Sequence, residues 1–270
     1  MTERQKVLLL GSISAAMLTC FGWIGVCPRG AECVSAVTSA DTLLSQSATV
    51  AAALAVASLV CWLLYLSWLL TKTALDVRRL PRAPGLPPAL LDAMARTGVG
   101  RVTCLAGEAA TAFCAGALQP QILVSEGLVR NFDGEELDAI LLHEQDHRRR
   151  FEPLVRAAYD AAARVFFYVP LVRWWTRRRI EDAELSADRA ALDRLGRRPV
   201  AAALWAFGDS ASIQGTAAFG GVSELRVAQV LGDPLPRRAP EWSLLSASTM
   251  GICLALQIAF CLVQGAQHLL

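Results

Sequence analysis

The sequence predicts a mainly α-helical integral membrane protein, with about three transmembrane helices and a cytoplasmic α+β domain inserted between the second and third. Three observations predict it. The chain of 270 residues is 54% hydrophobic, with a mean hydropathy of +0.40, too apolar for an ordinary soluble protein of this length. The apolar residues gather in three stretches without Asp, Glu, Lys or Arg, each long enough to cross a bilayer. Of 26 basic residues, 22 are arginines between Arg78 and Arg238, in the segment joining the second and third stretches.

The first stretch runs from Val7 to Cys27. Its basic start, Arg4 and Lys6, also fits a signal peptide. The apolar run continues through Phe21, Trp23, Ile24 and Val26, however, and Thr19 gives Cys20 a poor lipoprotein context. We read it as a retained helix. The second stretch runs from Thr42 to Thr71, with its span at about residues 46–71, and the third from Trp242 to Leu270. The chain divides accordingly into a transmembrane hairpin (1–72), a domain between membrane segments (73–241) and a C-terminal transmembrane helix (242–270).

Basic residues near span ends set orientation. Lys72, Arg78, Arg79 and Arg82 follow the second span, Arg237 and Arg238 precede the third, and Arg4 and Lys6 agree; the segment from Pro28 to Asp41 has only Arg29. A multi-pass protein of the inner (cytoplasmic) membrane results, with its large loop in the cytoplasm and the bilayer as first partner. The net charge of +2 needs no nucleic acid to explain it, and no direct nucleic-acid binding is expected. Of eight cysteines, Cys20, Cys61, Cys253 and Cys261 lie within spans as small apolar residues. Cys104 and Cys114 are expected reduced and buried. Cys27 and Cys33 flank the outside loop, where a disulfide is left open.

Within the central domain, VRRLPRAPGLPP reads as a linker and LLDAMARTG as a short amphipathic helix closed by Gly98. Alternation predicts strands at Ala112–Cys114 and Gln121–Val124. Asp133 and Glu136 resemble the N-cap and N3 of a capping box. The helix that follows, GEELDAILLHEQDHRRR, buries Leu137, Ile140 and Leu141 and is broken or kinked at Pro153. Polar Gln145 and Asp146 suggest that one side faces water. From about 154 to 175 the chain is apolar, with Arg156, Asp160 and Arg164 as one polar stripe; Phe166, Phe167, Tyr168, Trp174 and Trp175 beside arginines resemble an interfacial belt. We read a helical hairpin touching the inner leaflet, against a buried core helix as the alternative.

The most specific chemistry lies at residues 143–147, His-Glu-Gln-Asp-His. Histidines at i and i+4 share a helix face and reach one metal ion. Glu144 stands beside them to take a proton from a water that the metal activates. A site of this kind needs a third protein ligand. His268, the remaining histidine, lies at the outer end of the third span, so a carboxylate must serve. RRRIEDAELSADRAALDRLG reads as a helix ending at Gly196 and offers Glu181, Asp182, Glu184 and Asp188. Glu-x-x-x-Asp after HExxH is the gluzincin pattern: Glu184 becomes the third ligand of a Zn2+ ion and Asp188 the carboxylate that orients a ligand histidine. Glu181 is the fallback.

AFCAGALQPQILVSEGLVRNFDGEELDAILLHEQDHRRR resembles the core of BlaR/MecR-type membrane zinc metallopeptidases, which share Phe, Gly, Pro-x-Ile-x-Val, an acidic helix start, and HExxH followed by basic residues. The resemblance covers residues 80–235 in rough terms; the chain is more distantly similar to HtpX-type and CAAX-processing proteases. Phe151-Glu152-Pro153 departs from the family's usual Asp-Pro. The chain stops just after the last span, so no penicillin-binding sensor domain, and no β-lactam sensing through one, is expected.

The resemblance implies a gluzincin domain facing the cytoplasm that cleaves a protein or peptide substrate, such as a cytosolic transcriptional repressor. Alternatives are HtpX-like quality control of membrane proteins and a catalytically silent signalling scaffold. Related membrane zincins place an arginine in a similar late helix, which makes Arg226 the candidate for stabilising the oxyanion. Strand Gln121–Val124 is expected to add the substrate as a further strand. Homo-oligomerisation is left open.

Overall fold

The computed structural model describes residues 40–132, 134–210, 224–236 and 239–267. The expected first span, the N-cap at Asp133, the Cys27–Cys33 pair and His268 lie outside them. Among the described residues the chain is mainly helical around one small sheet. Among the described residues two helices are long and apolar enough to cross a membrane: α1 (Ala40–Arg79), within which the apolar span is Ser47–Arg79, and the last helix, whose span is Trp242–Val263. The helix of the second span thus runs on beyond Thr71 to Arg79, because Leu75 and Val77 continue a sequence free of helix breakers until Pro81.

The chain falls into two compact units. Of the described residues, one unit gathers 40–65, 161–176 and 239–267; the other holds 66–132, 134–160, 177–210 and 224–236.

In the second unit, Pro88 starts α2 (Pro88–Thr97), where a missing N–H costs nothing. Gly98 ends it at φ 69°, its N–H bonded to Met94 O, so the expected closure at this glycine is found. Three strands follow: β1 (Val102–Leu105), β2 (Ala112–Ala115) and β3 (Gln121–Ser125). β2 and β3 are the expected strands. β1 was not separated from its alternating surroundings. The sheet order is β1-β3-β2, with β3 parallel to β1 and antiparallel to β2. β3 is therefore central and paired on both sides, which corrects the expectation that Gln121–Val124 offers an edge to substrate. Residues 81–83 cover part of the outer side of β1 through an isolated bridge from Arg82 to Leu105. β2 is the sheet's other edge.

Ser125 closes β3 and caps α3 (Glu126–Asn131): its Oγ accepts from Leu128 N at 3.1 Å and Thr111 N at 2.9 Å and donates to Ala109 O at 2.6 Å. Gly127 is required beside it, since a Cβ there would stand 2.0 Å from Glu108 O. Helix α4 (Gly134–Arg149) then packs against α2, β2, β3 and α7 (Arg197–Ser210). This enclosure buries Leu137, Ile140 and Leu141 completely. It also buries Gln145, at 6% exposure, and the expectation of a water-facing Gln145-Asp146 side fails for that reason. Asp146 is engaged as well, accepting from Arg150 Nε at 2.8 Å and Ser186 Oγ at 3.2 Å. Asp138, 4% exposed, ties α4 to α2 by accepting both Nε and Nη2 of Arg96 at 2.9 and 2.8 Å.

After α4 the chain turns through Phe151, at φ 53°, and Pro153 falls in the first turn of α5 (Glu152–Val165). A short non-helical link leads into α6 (Pro170–Leu195), which ends at Gly196, φ 80°. The apolar segment 154–175 is thus two helices joined by a turn. α8 (Glu224–Leu231) is held to α6 where Gln229 Nε2 donates to Leu185 O at 2.8 Å. The last helix is α9 (Trp242–Gln267).

Candidate metal centre

The two histidines come from consecutive turns of α4, the helix most completely enclosed by the second unit. His143 and His147 are 1% and 7% exposed, their rings edge to face with centroids 4.6 Å apart. Their Nε2 atoms converge to 3.0 Å. Glu184, on the middle of α6, brings Oε2 to 3.5 Å from His143 Nε2 and Oε1 to 3.8 Å from His147 Nε2. Among the described residues, these three side chains form a group able to hold a metal ion. Tetrahedral ligands about 2.0–2.1 Å from zinc are separated from each other by roughly 3.3 Å, so the donor spacing suits such an ion. Glu184 Oε2 is buried without a short hydrogen bond, its nearest donors, His143 Nε2 and Arg226 Nη1, each standing 3.5 Å away, a spacing that leaves the oxygen available to a cation. The residues therefore fit the metal that the sequence implies.

Behind the ligands, Asp188 is completely buried. Its Oδ1 lies 2.9 Å from His143 Nδ1. A carboxylate accepts, so Nδ1 carries a hydrogen, and once Nε2 gives up its proton its lone pair would be free to bind a metal ion. Arg226, 1% exposed, donates from Nε to Asp188 Oδ2 and from Nη2 to Asp188 Oδ1, both at 2.6 Å, and places Nη1 3.5 Å from Glu184 Oε2. The expected Arg226 is thus in the site, engaged with the orienting carboxylate. Glu181 does not join the donor group.

The electrostatics follow from these distances. Burial lowers the pKa of His143, but hydrogen bonds to Asp188 and Glu184 outweigh it and raise the group to about 9. Burial and the neighbouring His143 charge push His147 down to about 3: two imidazolium charges in contact repel, and the carboxylates favour the charge on His143. Burial acts to raise Glu184 and Asp188. For Glu184 the His143 hydrogen bond and cationic neighbours overcome it, and for Asp188 the bonds from Arg226 and His143, so both stay below the ordinary carboxylate range. Glu144, 2% exposed, is pushed by burial up to about 7, against the lowering influence of His143.

Two participants escaped the sequence reading. Arg156 donates from Nη2 to Glu184 Oε1 at 2.7 Å, whereas its i, i+4 spacing had placed it in a generic polar stripe. Glu152, one turn earlier and 7% exposed, lies 4.0 Å from Arg156 Nε; the pair at 152 and 156 was the available signal. Cys114, on β2, feels Glu144: burial, then that carboxylate, lifts its thiol to about 12.

A family model described as BlaR1 peptidase M56 matches residues 29–201. The chain belongs to the BlaR1 peptidase M56 family. The match covers most of the chain, beginning before the second span, and includes both histidines, Glu184 and Asp188. M56 membership makes this a metallopeptidase by family, and its two apolar helices suit a membrane member. No curated protein matches the chain.

Proposed function

We propose that this M56 member is a zinc-dependent metalloendopeptidase of the cytoplasmic membrane, its site facing the cytoplasm, which cleaves a cytosolic protein such as a transcriptional repressor. The observation that carries the reading is the convergence of His143 Nε2, His147 Nε2 and the Glu184 carboxylate. Zinc held by these three residues would supply Lewis acidity, polarising a carbonyl and lowering the pKa of a water towards about 7.

The chain supplies the rest. Glu144 accepts the proton of the attacking water and returns it to the leaving amine; its burial keeps that carboxylate basic enough for the task. Asp188 fixes the His143 ring, and Arg226 fixes Asp188. Arg226 is better suited to this positioning than to direct contact with the oxyanion, because its Nε and Nη2 are committed to Asp188. The outer edge of β2, on the sheet against α4, is the natural place for an extended substrate to pair. Basic residues after the second span and before the third favour the cytoplasmic orientation.

The test is Glu144→Gln in the purified full chain. It should keep one zinc per chain and lose about 10²–10⁴-fold in peptide hydrolysis. Hydrolysis that survives with zinc bound would overturn this mechanism. Absence of stoichiometric zinc from the wild-type protein would favour a silent scaffold instead. Comparing fragments from wild-type and Glu144→Ala cells separates the substrate readings: one cleaved repressor supports regulation, whereas many misfolded membrane proteins support HtpX-like quality control.

A further inference from the structure

The turn between α5 and α6 belongs to the unit that holds the two apolar helices, and its contacts place it at depth along both. Arg164 lies 5.8 Å over the ring of Tyr65. Four residues further on, the Tyr168 hydroxyl shares a hydrogen bond with Ser58 Oγ at 3.2 Å. On the returning side, Leu171 N–H donates to Ser248 Oγ at 2.9 Å. The Tyr168 backbone also lies against Gly251, where a Cβ would stand 1.7 Å from Tyr168 O; this glycine is what lets turn and helix approach.

At 1.5 Å per helical residue, Tyr65 lies about 10 Å and Ser58 about 21 Å from Lys72, the nearest charged residue towards Arg79. Ser248 and Gly251 lie about 9 and 13 Å from Trp242. A hydrocarbon core is about 30 Å thick. If the two helices cross a bilayer, the atoms that touch Ser58, Ser248 and Gly251 lie inside its core rather than at its surface.

The local chemistry agrees. From Val165 to Val172 the sequence VFFYVPLV carries no charge. Polar groups in hydrocarbon must be satisfied by protein. Here Phe166 N bonds to Ala162 O, Val169 N to Phe166 O and Val172 N to Val169 O. Pro170 has no N–H to satisfy, and Leu171 N takes Ser248. Ser58 and Ser248 are 8% and 4% exposed, so these hydroxyls serve the turn. Phe167 is 78% exposed.

We propose that residues 161–176 form a re-entrant hairpin that enters the bilayer beside α1 and α9, and that Phe167 at its tip contacts lipid acyl chains. This goes deeper than the interfacial placement expected from sequence, and it rests on the membrane reading above. The test uses the full chain in native membranes, with p-benzoylphenylalanine in place of Phe167 or, separately, of Leu63, a 48%-exposed residue of α1. Membranes carrying acyl-radiolabelled phospholipid are irradiated and the protein is purified; monodisperse elution in detergent reports folding, and Val169 is the reserve position on the turn. Radiolabel on both variants is the expected result. Label at 63 with none at 167, or with only protein adducts at 167, overturns the hairpin and leaves the spans intact. No label at either position removes the membrane reading and the hairpin with it.

Discussion

Replacing Arg226 by Met distinguishes an arginine that positions a ligand from one that touches substrate. The guanidinium makes two 2.6 Å bonds to Asp188, and the two residues are 1% and 0% exposed. Removing one member of such a pair leaves an uncompensated buried charge, and the metal-free protein should lose about 3–5 kcal/mol of stability. Asp188 in turn holds His143 Nδ1 at 2.9 Å. Loss of partners behind a ligand typically weakens metal binding about 10–100-fold, equivalent to roughly 1.4–2.8 kcal/mol. Zinc affinity of Arg226→Met is measured by competition with a chromophoric chelator, in detergent, beside peptide hydrolysis at saturating zinc. The expected pattern is weakened zinc binding with hydrolysis largely restored when the metal is saturating. Unchanged zinc affinity with a collapsed kcat would refute the positioning role and return Arg226 to the oxyanion. Arg226→Lys should behave like the Met variant in zinc affinity, because an ammonium does not reproduce the two-pronged contact.

Three further outcomes are expected. Gly127→Ala should destabilise the domain by about 1–3 kcal/mol or more, seen as a lowered melting temperature, because the new Cβ would meet Glu108 O at 2.0 Å; an unchanged melt refutes that close approach. Asp188, held below the usual carboxylate range by Arg226 and His143 against the opposing effect of burial, contributes stability that is present above an unfolded pKa of about 3.9 and is lost as pH falls through its lower folded value. In chelator-treated protein the melting advantage of wild type over Asp188→Asn should therefore hold near neutrality and shrink below about pH 4. An advantage that grows on acidification contradicts the assignment. Chelation should abolish peptide hydrolysis and added zinc should restore it; full activity after exhaustive chelation would remove the metal from the mechanism.

The residues of the candidate site were legible because their spacing is helical. His143 and His147 had to share a face once they lay on one helix, and so did Glu184 and Asp188. Gln145 misled because polarity was taken as exposure, whereas α4 is enclosed by α2, α7 and the sheet. β3 was recognised as a strand, but alternation along a segment does not specify its neighbours, and its central position depends on β1 pairing parallel from 20 residues away in register, Val102 with Ile122. Arg226 was picked out by analogy, yet its partner lies 38 residues away, a relation that no local pattern encodes. Arg156 was hidden for the same reason, since its contact with Glu184 joins two helices across a turn.

That contact bears on the order in which the protein is assembled. Arg156 holds Glu184 Oε1 and Arg226 holds Asp188, so each of these acids has a cationic partner supplied by the chain itself. Small zinc modules whose ligands have no such partners stay unfolded until the metal binds. If the site holds zinc as proposed, the polypeptide is expected to complete its fold before taking up the ion, and synthesis of the chain would not then wait on the metal.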